Sequence, residues 1–484
     1  MLFQSLPFLV FFAIVYSVYL LVKGTRLRLP WLLASSYVFY AWLSPLYLIP
    51  LIYATVVDYF VAGRIEKSRR KGAWLAVSVV NDVAVLGFFK YAGFVVENLN
   101  GLLSWVGAKY AVPEPGLMRF IAENVNHLLG SLHVSYAVPD PGPLMPVGVS
   151  FFLLQSIGYA IDVYRGTTKR EKSFLAYATF VSFFPRLLAG PIERANHLLP
   201  QFHGEGRVTL RDFTDGLSIF VVGYFKKVAL ADYLVIYVAG VYGSPEQHQA
   251  PALLLATFLF AWQIYFDFSG YTDMARGIAR MMGIGLMLNF NNPYLAVSMG
   301  DFWKRWHISL SSWFRDYVYI PLGGNRKGKF ATYRNLFLTM VLSGLWHGAA
   351  WTFVLWGAVH ALGNFATREL ERTPFYVRRL PTIVKQLFVF VLVTFAWIFF
   401  RAATIGDAWT IVTRIFTSGL SDPKCPLLAI LLIAAVWIYQ YLFESRLRSI
   451  LEIRVVRIVL MIFLLTYLVL TVPAEGQPFI YMQF

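Results

Sequence analysis

"PFLVFFAIVYSVYLLVK", residues 7–23, settles which solvent this chain folds in. No charge interrupts it before Lys23, and its length is close to the roughly 20 apolar residues that a helix needs to cross a bilayer. A secretory leader would place basic residues ahead of such a run and small residues after it. Here "MLFQSL" precedes and "TRLRLPW" follows, so the run reads as a first, retained membrane helix. The composition agrees, with 58% of residues hydrophobic, 17% aromatic and only 14% charged. Soluble domains carry about 25% charge, so the chain reads as a polytopic membrane protein.

Working outward, hydropathy and charge place spans near 7–23, 30–45, 46–63, 73–92, 146–164, 217–242, 251–270, 335–346, 349–366, 384–401, 426–442 and 456–472. The expected number of spans is roughly 10–13, with 335–346 and 349–366 short for the purpose. Basic residues gather at 69–71, 165–172, 301–334, 368–385 and 446–457, whereas the long segment 94–145 holds only Lys109 and Arg119. The positive-inside rule then makes 94–145 an extracytoplasmic loop, with both termini on its side, and makes 271–334 a basic cytoplasmic or interfacial segment. A net charge of +16 fits loops lying beside anionic lipid. No basic domain stands apart from the spans, which argues against a nucleic-acid partner.

The stretch 174–190, "FLAYATFVSFFPRLLAG", is interrupted by Pro185 and Arg186 and reads as a re-entrant piece. Irregular backbone at membrane depth must be buried in protein or line a watery cavity. The expected fold is therefore all-α: one membrane-embedded domain over 1–484, with re-entrant or interfacial helices around a central tunnel. A multi-pass protein of the cell inner membrane is the matching localisation.

Chemistry is sparse. The lone Cys425 excludes a disulfide within the chain and any thiolate metal cluster. Of eight histidines, His127, His133, His197, His203 and His248 read as loop residues, while His307, His347 and His360 lie in or beside apolar segments. "GGNRKGKF", 323–330, approaches a phosphate-loop pattern, but Phe330 stands where a hydroxyl would hold Mg²⁺. "WQIYFDFSGYTDMARG", 262–277, carries Asp267, Ser269 and Asp273 towards the membrane, where ionisable groups line cavities or pair with cations. The segment 301–335 mixes aromatics with cations, which suits either a helix at the interface or a dock for an anionic partner. In "SGLWHGAAWTFVLWGAVH", 343–360, one unbroken helix would set His347 and His360 about 220° apart, on nearly opposite sides. They are then no single-metal site and no haem pair. Gly348 permits a break beside His347.

The chain resembles the membrane-bound O-acyltransferases, in the bacterial branch that includes alginate O-acetyltransferases. The resemblance runs through "FDFSGYTDMARGIARMMG", "RWHISLSSWFRDYVYIPLGGNRKG" and "LSGLWHGAAWTFVLWG", with matching termini, and covers essentially the whole chain. It implies acyl transfer from a thioester to a hydroxyl, with no permanently bound cofactor and no metal. The family's two motif histidines fall on His347 and His307. His347 is the expected general base, since histidine suits that role near neutral pH, and apolar surroundings disfavour its cation. His307 is expected to orient the donor carbonyl or share proton transfer. Lys304, Arg305, Arg315, Asn325, Arg326 and Lys327 are candidates for the donor's phosphates, and Asp267, Ser269 and Trp346 for tunnel walls. The donor implied is acetyl-CoA or an acyl carrier protein. The implied acceptor is an exported polysaccharide, reached through an extracytoplasmic acetyltransferase partner. Tyr481 is a candidate acyl relay in an extracytoplasmic tail. D-alanyl transfer to a cell-wall polymer is an alternative within the class. A polysaccharide or lipid-linked sugar transporter is the alternative outside it, and would not need His347.

Overall fold

A computed structural model describes residues 1–108, 110–113, 117–131, 146–204, 206–422 and 424–471. Among these residues the ordered structure is helical, without strands. Tyr481 and His133 lie outside them. Among the described residues, five helical stretches are long and apolar enough to cross a membrane: Pro45–Lys67, Lys71–Trp105, Ala250–Met281, Thr382–Arg401 and Leu427–Glu444. Fewer stretches reach span length than the sequence suggests because several expected spans are shorter or broken helices.

The chain divides into two compact units. The first comprises Met1–Phe213 with Ala279–Leu286. It holds helices α1 (Leu6–Val22), α2 (Arg28–Ala41), α3 (Leu48–Lys67), α4 (Lys71–Leu86), α5 (Ala92–Trp105), α6 (Leu117–Ser131), α7 (Val149–Arg165), α8 (Phe174–Ser182), α9 (Phe184–Leu187) and α10 (Ala195–His203). A π-helical turn at Gly87–Tyr91 joins α4 to α5, so the helical run passes residue 92 and reaches Trp105. The expected loop 94–145, a segment that admits short interfacial helices, carries parts of α5 and all of α6. His127, His197 and His203 also lie in helices rather than loops. The stretch 174–190 breaks at Phe183, as Pro185 requires, with its second half fully buried. Phe184 there packs edge-on against Phe11 and tilted against Phe39. Buried Arg28 donates to the carbonyls of Gln201 and Gly204, closing the C-terminus of α10.

The second unit comprises Thr214–Ile278 with Met287–Phe484. Helix α11 (Leu210–Tyr224) enters it and continues through a π-helical turn at Phe225–Ala231 into α12 (Asp232–Tyr242). Long α13 (Ala250–Met281) crosses α11 antiparallel on two glycine pairs. A Cβ on Gly277 would stand 2.6 Å from the Gly216 carbonyl oxygen, and one on Gly223 would stand 2.6 Å from that of Gly270. Small residues let helix backbones meet this closely where hydrophobic burial gives lipid-embedded helices little reason to associate. Then come α14 (Met299–Arg305), α15 (Ile308–Phe314), α16 (Gly328–His347), α17 (Trp351–Leu370), α18 (Thr382–Arg401), α19 (Ile405–Thr417), α20 (Leu427–Glu444), α21 (Arg448–Leu451) and α22 (Arg454–Thr471). Helices α16 and α17 have 20 residues each, longer than the expected runs 335–346 and 349–366. At about 1.5 Å per residue each is about 30 Å long.

Candidate active site

Helix α16 stops at His347 because Gly348 turns extended, and α17 restarts at Trp351. The two helices form a tight hairpin. A Cβ on Gly344 would stand 2.2 Å from the Phe353 carbonyl oxygen, and one on Gly357 would stand 2.4 Å from that of Met340. At the turn itself, a Cβ on Gly348 would stand 1.9 Å from the Phe353 ring. This turn overturns the opposed placement of His347 and His360 expected on one unbroken helix. Folding the chain back brings both imidazoles to the Trp356 indole, with centroids 5.0 Å and 4.6 Å away.

His347 is 3% exposed and lies against Trp346, Trp356 and Phe400. His307 is wholly buried. Its ring meets Phe268 of α13 edge-on at 4.7 Å and Trp346 at 6.0 Å. Trp346 therefore touches both motif histidines, since its own centroid is 4.9 Å from that of His347. The structure thus brings His307, His347 and Trp346 together, 40 positions of chain apart at the extremes, around one indole.

The backbone at His307 has φ 43° and ψ 54°, a left-handed conformation that costs a non-glycine residue of order 1–2 kcal/mol. It persists because Asn289 pins the turn. The Asn289 carbonyl accepts from Ile308 N at 2.9 Å, and its side-chain Oδ1 accepts from Ser309 N at 3.2 Å and Ser309 Oγ at 2.9 Å. The backbone donor identifies Oδ1 as the oxygen. His307 Nδ1 lies 3.1 Å from that same acceptor, so Nδ1 carries the proton. In the neutral ring Nε2 then keeps its lone pair. Asn289 was not singled out from sequence. The available signal was an amide inside "LNFNNP", 288–293, whose 0% exposure only the fold reveals.

The other candidates separate. Asp267 forms a buried ion pair with Lys227 at 2.6 Å, and Lys227 also meets Asp232 at 2.8 Å. That is the pairing alternative, and it gives Asp267 a structural partner. Ser269 is buried on the same helix. Arg305 pairs with Asp301 and Glu444, and Arg315 with Asp316. Lys304, Asn325, Arg326 and Lys327 are exposed. Among the described residues, no ion pair engages Lys304, Arg326 or Lys327. The last two belong to a turn whose Gly323, Gly324 and Gly328 all adopt positive φ. Buried Asn335 donates to the Gly324 carbonyl at 3.0 Å and fixes the turn from below.

Residues 168–404, which contain His307, His347 and His360, match the model of MBOAT, the membrane-bound O-acyltransferase family. The chain is 39% identical to a probable alginate O-acetylase of Azotobacter vinelandii, over 87% of this chain and 80% of that protein. It is 35% identical to a peptidoglycan O-acetyltransferase of Helicobacter pylori, over 78% of this chain and 72% of that protein. A teichoic acid D-alanyltransferase of Bacillus subtilis is 26% identical, over 52% of this chain and 67% of its own length.

Proposed function

Because this chain belongs to the membrane-bound O-acyltransferase family, we propose that it is an O-acetyltransferase that takes acetyl from a cytoplasmic thioester and delivers it across the inner membrane for O-acetylation of an exported polysaccharide. The observation that carries this reading is His347: a buried imidazole at a glycine-made helix break, inside the family-matched segment, sharing Trp346 with His307. The names of the relatives that span most of the chain favour acetyl over D-alanyl as the group moved.

His347 is the general base. It accepts the proton of an acceptor hydroxyl as that oxygen bonds to the thioester carbonyl carbon. The carbon–sulfur bond then breaks, and the proton passes to the departing sulfur, leaving an ester and a free thiol. Such proton transfer is worth about 10²–10⁴-fold in rate. His307, holding its proton on Nδ1 towards Asn289, presents Nε2 as an acceptor. That suits it to share the hydroxyl proton rather than to donate to the donor carbonyl. Lys304, Arg326 and Lys327 meet the phosphates of coenzyme A or of a carrier protein's arm. An extracytoplasmic acetyltransferase partner completes delivery to the glycan.

The test is acetyl transfer by purified protein in lipid nanodiscs. The unaltered protein should consume an acetyl thioester, and His347→Ala should lose about 10²-fold or more of that activity while keeping its thermal midpoint. Transfer at the normal rate by a folded His347→Ala protein would end the base assignment. Preference for a D-alanyl thioester would redirect the group moved.

A further inference from the structure

Helix α19 joins two of the stretches that can cross a membrane, α18 and α20. The chain leaves the membrane at the end of α18 and re-enters at the start of α20, so α19 lies at the surface between them. Basic residues gather at the far ends of both spans, in 368–385 and 446–457. The positive-inside rule makes that far side cytoplasmic and the side of α19 extracytoplasmic. With 13 residues, α19 is about 20 Å long and too short to cross. A capping box between Thr404 and Asp407 fixes where it begins.

The sequence of α19, "IGDAWTIVTRIFT", divides the helix lengthwise into three sides. Ile405, Trp409, Val412 and Phe416 fall within about 60° of one another, at about 100° per residue. They form a stripe that no charge interrupts, and Trp409 and Phe416 are 68% and 82% exposed. On one flank of the stripe, Ala408 and Ile411 are fully buried, and α19 packs on α17, α18 and the 3₁₀ turn at Pro245–Gln247. On the other flank come Thr413, Thr417, Thr410, Arg414 and Asp407, all polar. Protein, apolar stripe and polar side therefore succeed one another round the helix. Hydrogen bonds hold this placement. Arg414 Nε donates to the His248 carbonyl at 3.0 Å, Ser421 N donates to Gln249 Oε1 at 2.9 Å, and Asp422 accepts from Gln249 N at 3.1 Å.

The occupant of the stripe follows from that order. A helix at the rim of a membrane protein meets protein, acyl chains and water on three successive sides. Trp409 stands where the stripe borders the polar side, and indoles favour the membrane–water interface. Exposed apolar residues continue on both neighbouring spans, as at Phe395 of α18 and Leu428 of α20. A protein partner would need a wider surface, since stable interfaces engage about 20–30 residues a side.

We propose that Ile405, Trp409, Val412 and Phe416 insert among the acyl chains of the extracytoplasmic leaflet, as the apolar face of an interfacial helix does. Helix α19 is then the lipid anchor for the end of α18, whose Phe400 borders His347. The test exploits the single cysteine. Cys425→Ser removes it. Trp409→Cys, Thr410→Cys, Phe416→Cys and Thr417→Cys are then spin-labelled one at a time in nanodiscs of phosphatidylethanolamine and phosphatidylglycerol. Collisions with oxygen, which concentrates in lipid, are compared with collisions with a water-soluble nickel chelate. The oxygen-to-nickel ratio should be several-fold higher at 409 and 416 than at their neighbours 410 and 417. Thermal midpoints should stay unchanged, because Trp409 and Phe416 lie outside the core. Equal ratios at all four positions would put the stripe in water and overturn the anchor. Protection of 409 and 416 from both reagents would mean that a second protein chain covers them, and overturns it as well.

Discussion

Asn289 Oδ1 lies 3.1 Å from Nδ1 of His307 and, by accepting from Ser309 N as well, decides which imidazole nitrogen bears the proton. Removing that oxygen should therefore cost function beyond stability. Asn289→Leu leaves three donors around an apolar branch, which should lower stability by about 1–3 kcal/mol and activity about 10²-fold through a misplaced ring. Asn289→Asp restores an acceptor and should recover much of the activity. Side-by-side turnover and thermal melts check the order, and a more active Asn289→Leu would refute the tautomer.

At the helix break, Gly348→Ala is the sharpest steric test. The new Cβ would stand 1.9 Å from the Phe353 ring, itself packed perpendicular to Phe400 at 5.0 Å. Overpacking of this kind costs about 1–3 kcal/mol. Both the melting temperature and the acyl-transfer rate should fall, because Phe400 also borders His347 at 5.4 Å. A melt and rate equal to those of the unaltered protein would mean the turn yields.

Lys227 is the cation of a buried cluster with Asp267 and Asp232. Breaking a buried ion pair from one side typically costs 3–5 kcal/mol, because the remaining charge stays uncompensated. Lys227→Met, which strands two carboxylates, should be worse than Asp267→Asn, which leaves Lys227 with Asp232. Adding Asp267→Leu to Lys227→Met should recover part of the loss. Yields of folded protein after detergent extraction, with thermal midpoints, give the ranking.

For the donor's phosphates, the exposed cations should divide by their pairing. Replacing Lys304, Arg326 and Lys327 together by Ala should raise the KM for acetyl-CoA several-fold, with a smaller effect at high salt, where exposed charges are screened. Arg305→Ala should act differently, since Arg305 ties Asp301 to Glu444. Its loss should lower stability more than it raises KM. Steady-state kinetics at two ionic strengths distinguish the groups.

The fold class and the break beside His347 were legible in the sequence, and the reasons are local. An apolar run such as 7–23 announces its solvent without neighbours, and the "WHG" break can be read from one glycine. Asn289 could not be found that way, because its role depends on chain 18 positions later returning beside it. The relation of His347 to His360 failed for the opposite reason. A single-helix projection is valid only while the helix continues, and the turn at Gly348 replaces projection with hairpin packing. Asp267 reads equally as a wall or an ion pair until Lys227, on another helix, is located.

The glycine crossing of α11 and α13 has an evolutionary consequence. At Gly223, Gly270 and Gly277 each missing side chain faces backbone on the opposite helix, including a carbonyl oxygen 2.6–2.7 Å from where its Cβ would be. A bulky side chain can be accommodated by trimming its neighbour, but no mutation shortens a main-chain oxygen. These three positions thus lack compensating partners elsewhere in the sequence. Drift can rewrite the exposed positions of α11 while this seam admits change only by moving the helices themselves.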